Sequence, residues 1–183
     1  YALALNNDGI VRARSLENRG GKIFLSAGTG QLRSAGTLRA SRSVSINAGQ
    51  EAEFVGSVRA VDEETGTGGV IQIAASQVRI LGPSTFDVSG TEAGSAEIAA
   101  TERAQIDGAI RASSSAGAGG QISVLGAEIA VGGTGSIRAD GATDGGLVTL
   151  GSRPGSPHPG GASGDAAGFG DPALRPTATT IST

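Results

Sequence analysis

The pattern Gly-x-apolar-Arg-Ala recurs through the chain, and that recurrence limits what the chain can fold into. It reads GIVRA at 9–13, GTLRA at 36–40, GSVRA at 56–60, GAIRA at 108–112 and GSIRA at 135–139. A degenerate copy, STFDV at 84–88, fills the one gap. The central residues are Val11, Leu38, Val58, Phe86, Ile110 and Ile137, spaced by 27, 20, 28, 24 and 27. A period of this length marks a fold assembled from repeated supersecondary units.

Two further patterns keep step with the first. An apolar-x-apolar pair reads Ile23/Leu25, Val44/Ile46, Ile71/Ile73, Ala96/Ile98, Ile122/Val124 and Val148/Leu150. A weaker strand precedes each Gly-x-apolar-Arg-Ala copy, at Leu3/Leu5, Leu32, Phe54, Val78/Ile80, Ala104/Ile106 and Ile129/Val131. Three short strands thus return in fixed order about every 25 residues. In a strand, residues i and i+2 share a face, so the apolar residue and the Ala of each motif point one way and the Arg the other. Each strand is half-buried, and three such strands close no core alone. Stacking each strand on its equivalent in the next coil does. Parallel crossovers are almost always right-handed. The expected fold is therefore all-β, a right-handed parallel β-helix (solenoid) of about six coils over residues 1–152. A β-sandwich needs antiparallel hairpins and no such period, and a disordered Gly-rich chain lacks the apolar alternation.

Composition fits narrow stacked layers. There are 32 Gly, aromatic residues make up 3%, and Cys, Met and Trp are absent, so Val, Ile, Leu and Ala must fill the core. The net charge of −3 argues against nucleic acid as a partner. No apolar run approaches the ~20 residues that span a bilayer. The connections from each motif to the next apolar pair vary in length. That at 41–43 is short, and those at 61–69, 113–120 and 141–146 are longer and Gly-rich. They read as solvated corners. Residues 153–183 form a Pro/Gly-rich loop or tail holding five of the six prolines, with Thr177–Thr183 as a terminal strand.

The runs GIVRARSLENRGGKIFLSA at 9–27, GTLRAS at 36–41 and GSIRADGATDGGLVTLGS at 135–152 resemble the filamentous-haemagglutinin-like exoproteins of bacterial two-partner secretion (TpsA-type adhesins). The resemblance covers about residues 3–152. It implies a right-handed β-helix exported through a dedicated outer-membrane partner pore to the surface or surroundings of a Gram-negative cell. It implies further a role in adhesion, aggregation, haem acquisition or toxin display, with a host or bacterial surface glycan or protein as partner. The amino-terminal secretion signature of that family and an Arg-Gly-Asp triplet are both absent from the sequence. A passive spacer is the plainer relative of the same reading.

A carbohydrate-active β-helix enzyme of lyase or hydrolase type is the alternative from another class. It needs grouped carboxylates and aromatic platforms. The Asp residues are scattered at 8, 62, 87, 107, 140, 144, 165 and 171, and the one histidine, His158, sits between two prolines. Gly132–Gly135 matches the start of a calcium nonapeptide, but the sixth position holds Ile137 rather than Asp. The sequence therefore carries no expected catalytic, metal or cofactor residues, and no enzyme activity is expected of it. What stands out is the outward position of the repeat, Arg12, Arg39, Arg59, Arg111 and Arg138, interrupted by Asp87. In-register coils would align these guanidinium groups as a strip for sulfated glycans or other polyanions. The competing reading is a solvated face offset by Glu53, Asp87 and Glu128, and the negative net charge favours it.

Overall fold

Alternating apolar and polar residues build every element. The computed structural model describes residues 4–7 and 10–13 as strand backbone and residues 21–152 together with their side chains. The strands are β1 (Ala4–Asn7), β2 (Ile10–Ala13), β3 (Lys22–Ser26), β4 (Gln31–Ser34), β5 (Thr37–Ala40), β6 (Ser43–Asn47), β7 (Glu51–Phe54) and β8 (Ser57–Ala60). They continue as β9 (Val70–Ile80), β10 (Thr85–Asp87), β11 (Ser95–Ile106), β12 (Ala109–Arg111), β13 (Gln121–Leu125), β14 (Glu128–Val131), β15 (Ser136–Arg138) and β16 (Leu147–Gly151). No helix occurs among the described residues. The tail at 153–183, with His158, lies outside them.

All strand pairings are parallel, and they follow three ladders. The motif strands pair in the order β2-β5-β8-β10-β12-β15. The apolar-x-apolar strands pair β3-β6, then the first half of β9, the first half of β11, β13 and β16. The weaker strands pair β1-β4-β7, then the second halves of β9 and β11, then β14. Residue alternation shows why β9 and β11 are long. In β9, Ile71, Ile73 and Ala75 point inward, Ser76 and Gln77 both point outward, and Val78 and Ile80 resume the inward set. That break in the period of two is a corner, where one continuous strand turns from one face of the coil to the next. In β11 the break is Thr101–Arg103, and the register with β9 shifts between Ala100 and Arg103.

The result is a β-solenoid of about four turns, fewer than the six coils that the motif count points to. The last copy is less enclosed than the rest: Ile129, Ile137 and Val148 are only half-buried, and Val131, Leu147 and Leu150 are 46%, 50% and 49% exposed. In the layers before it the inward side chains are buried.

The core columns run straight through those layers. Leu38, Val58, Phe86 and Ile110 stack in register and are fully buried. Beside them Ala40, Ala60, Val88 and Ala112 are buried as well. Phe54 and Phe86 meet edge to face at 5.2 Å between ring centroids, with 77° between planes. Each buried branched side chain contributes about 1.5–3 kcal/mol before chain entropy is counted. Two buried hydroxyls are satisfied by backbone: Ser84 Oγ donates to Phe54 O at 2.6 Å, and Ser114 Oγ to Thr91 O at 2.7 Å.

Candidate functional site

The motif ladder carries the arginines into one column. Arg12 pairs with Arg39, Arg39 with Arg59, Arg59 with Asp87, Asp87 with Arg111, and Arg111 with Arg138. The alignment follows from the fixed place of Arg in each motif, one residue after the buried apolar position. For Arg12 only the backbone register is described. The other side chains divide at Asp87. Arg39 Nη1 lies 3.5 Å from Glu63 Oε1, and Arg59 Nε lies 3.7 Å from Asp87 Oδ2. The second contact is an ion pair too long for a hydrogen bond, and Arg59 Nε has no hydrogen-bond partner. Arg111 and Arg138 are exposed and make no ion pair among the described residues. They face each other across one ladder step of about 4.8 Å. Like charges directly opposite on neighbouring strands are destabilising by roughly 0.2–1 kcal/mol.

The strip is thus two segments of different character. The Arg39–Arg59 segment is largely offset by Glu63 and Asp87. The Arg111–Arg138 segment is a free pair of guanidinium groups. Asp87 was legible as an interruption of the column. Glu63 was not, because it sits in the loop at 61–69 and reaches Arg39 across 24 residues. Glu53 and Glu128 serve other partners: Glu53 accepts from Arg79 at 3.0 Å and forms an ion pair with Arg33 at 3.0 Å, and Glu128 lies 3.4 Å from Arg103. They do not offset the motif arginines as the sequence reading had it.

The corner loops form the second feature. Solvated as they are, they also stack on one another. Thr67 bridges Glu92, Gly90 bridges Ser114, and Ala118 bridges Asp144, all parallel. Between this loop wall and the face of β9, β11, β13 and β16 runs an open trough of about 630 Å³. Its floor is glycine: Gly69, Gly94, Gly120 and Gly146, one per layer. A methyl group on Gly94 would run into Gly69 O, one on Gly120 into Gly94 O, and one on Gly146 into Gly120 O. Close backbone approach therefore requires glycine here. Gly94→Ala is expected to destabilise the fold by about 1–3 kcal/mol through overpacking. Gly145→Ala, at a position with nothing within 4 Å, should stay within about 0.5 kcal/mol. Urea titration of the two variants checks this contrast.

No carboxylate lines the trough. Among the described residues, no group of three or more His, Cys, Asp or Glu side chains is placed to hold a metal ion. No family model matches the chain, and no curated protein or solved structure matches it. The resemblance to filamentous-haemagglutinin-like exoproteins therefore rests on the sequence motifs. No helix among the described residues is long and apolar enough to cross a membrane.

Proposed function

We propose that the chain is a secreted, surface-associated β-helical segment of a two-partner-secretion exoprotein, working as an adhesin-like rod. In this reading it holds six right-handed coils, leaves a Gram-negative cell through an outer-membrane partner pore, and attaches to a surface glycan or protein or presents other domains. It carries no catalytic role. One observation supports the reading above the others: the apolar centres of all six motif copies fall in a single continuous parallel ladder, with every outward position repeated at the same height in the next layer. A solenoid of this kind turns a sequence repeat into an extended surface with regularly spaced side chains.

Contact with anionic surface glycans would fall to Arg111 and Arg138. Heparin-column retention tests that assignment. The Arg111→Ser, Arg138→Ser double variant is expected to elute at lower salt than the parent, while Arg39→Ser shifts elution less, since Glu63 already offsets that charge. Unchanged elution of the double variant would reject the strip as a binding surface. For attachment itself, beads coated with the chain should adhere to epithelial or bacterial cells above beads coated with an unrelated β-solenoid. Equal adherence would reduce the segment to a spacer.

A further inference from the structure

Four Asp-Gly steps occur in the sequence, at Asp8–Gly9, Asp107–Gly108, Asp140–Gly141 and Asp144–Gly145. Asp-Gly is the step most open to backbone attack on the side-chain carboxyl, because glycine offers no steric shield to its own amide nitrogen. The fold treats the three described copies differently. The Gly108 amide donates to Ile80 O at 3.0 Å, and the Asp107 carboxylate accepts from Gln105 Nε2 at 2.7 Å, so both reacting groups are engaged. Gly141 is packed so closely that a methyl group there would strike Asp144 O and Gly119 N. Gly145 is exposed, with nothing within 4 Å of where a side chain would be. Its amide donates to Asp144 Oδ1 at 3.0 Å and to no other group among the described residues.

We propose that Asp144–Gly145 is a site of spontaneous aspartyl isomerisation in the folded protein, and that its product is a substrate for isoaspartyl carboxyl methylation. The Gly145 nitrogen bonds to Cγ of Asp144, and the carboxyl C–O bond breaks. The step runs through the neutral carboxyl form: the departing hydroxyl takes the amide proton and leaves as water, giving a five-membered succinimide. Water then adds at the former α-carbonyl, and the bond from that carbon to nitrogen breaks. The main chain now runs through Cβ and Cγ, and the old α-carbonyl becomes a free carboxylate. Mass is unchanged overall, and no oxidant or reductant takes part.

The change has a structural consequence. The Asp144 carbonyl oxygen accepts the Gly119 amide at 2.9 Å, one of the bonds that stack the loop at 140–146 on that at 113–120. Isomerisation moves that carbonyl out of the main chain and lengthens the loop by one carbon, so the bond to Gly119 is lost.

The test ages the full chain in neutral buffer, folded and in urea, with peptide mapping by fragmentation and methyl incorporation by an isoaspartyl methyltransferase. In the folded chain isoaspartate should build up at Asp144 several-fold faster than at Asp107 or Asp140. In urea the three rates should converge. Asp144→Glu should remove folded-state methyl incorporation from the peptide that carries residue 144, because a six-membered imide forms far more slowly. Amide exchange at Gly119 should quicken in the aged protein. Equal folded-state rates at the three sites, or isoaspartate at Asp144 only in urea, would overturn the proposal.

Discussion

Phe54→Ala is expected to cost about 3–5 kcal/mol of folding stability. Phe54 is fully buried on the inner face of β7, at 0% exposure, and its ring meets that of Phe86 from a different ladder. Its neighbours in register are Ser34 and Ile80, held in their own ladder positions, so little side-chain bulk is free to fill the void. Part of the loss belongs to the ring pair itself, about 0.5–1.5 kcal/mol. A double-mutant cycle with Phe86→Ala separates that share: the two single losses should exceed the double loss by roughly this amount. Strict additivity would mean that the edge-to-face contact contributes nothing beyond buried area. The measurement is urea unfolding followed by far-ultraviolet circular dichroism.

Ile110→Asp should do more damage and should reveal itself through pH. Ile110 is fully buried in the motif ladder, with Phe86 in register on one side and Ile137 on the other. Among the described residues no Lys or Arg is buried, so an ionised carboxylate in that column costs several kcal/mol and the group takes up a proton instead. Burial raises the folded-state pKa of this new group above its unfolded value of about 3.9. The variant's deficit is therefore smallest below that pH, where the carboxyl is protonated in both states. The deficit grows as pH rises toward the folded value and then levels off. Ile110→Asn serves as control: it should be destabilised with no added pH dependence relative to the parent. An Ile110→Asp chain as stable as the parent at neutral pH would place residue 110 outside the core.

Much of this architecture was legible from the alternation of apolar residues. The six motif centres, including Phe86 in the degenerate copy STFDV, fall in one ladder because a period-two pattern with a fixed Arg leaves only one register that buries every apolar residue. The weaker strands were less legible. Leu32 stacks on Ala52 rather than on Phe54, and Ser34 takes the place beside Phe54, because an apolar residue standing alone does not show which of two inward positions it fills. About four turns are shown against six motif copies, and the last copy, at Ile137, is only partly buried. The corner loops gave least. Their glycines mark turns in any sequence. Only the folded chain shows that Thr67, Glu92, Ser114 and Asp144 take part in loop-to-loop bridges, that Glu63 reaches back to Arg39, and that one glycine per layer floors a trough.

The arginine column illustrates how partial such reading is. Sequence spacing aligns Arg39, Arg59, Arg111 and Arg138, and the ladder keeps them aligned. Which of them is free to meet an anion depends on Glu63 and Asp87, whose distances follow from loop geometry rather than from the repeat.

Layer-by-layer stacking is tested most directly by spin-label distances along one outward column. Phe24, Ser45, Gln72, Glu97, Ser123 and Thr149 are in register on successive strands, and the absence of native cysteine allows clean pairwise labelling. With one label fixed at Phe24→Cys, the separations to Glu97→Cys, Ser123→Cys and Thr149→Cys should rise in equal steps, near about 14, 19 and 24 Å. Distances that fail to increase in that order, or that fall as the sequence separation grows, would contradict the solenoid and everything argued from it.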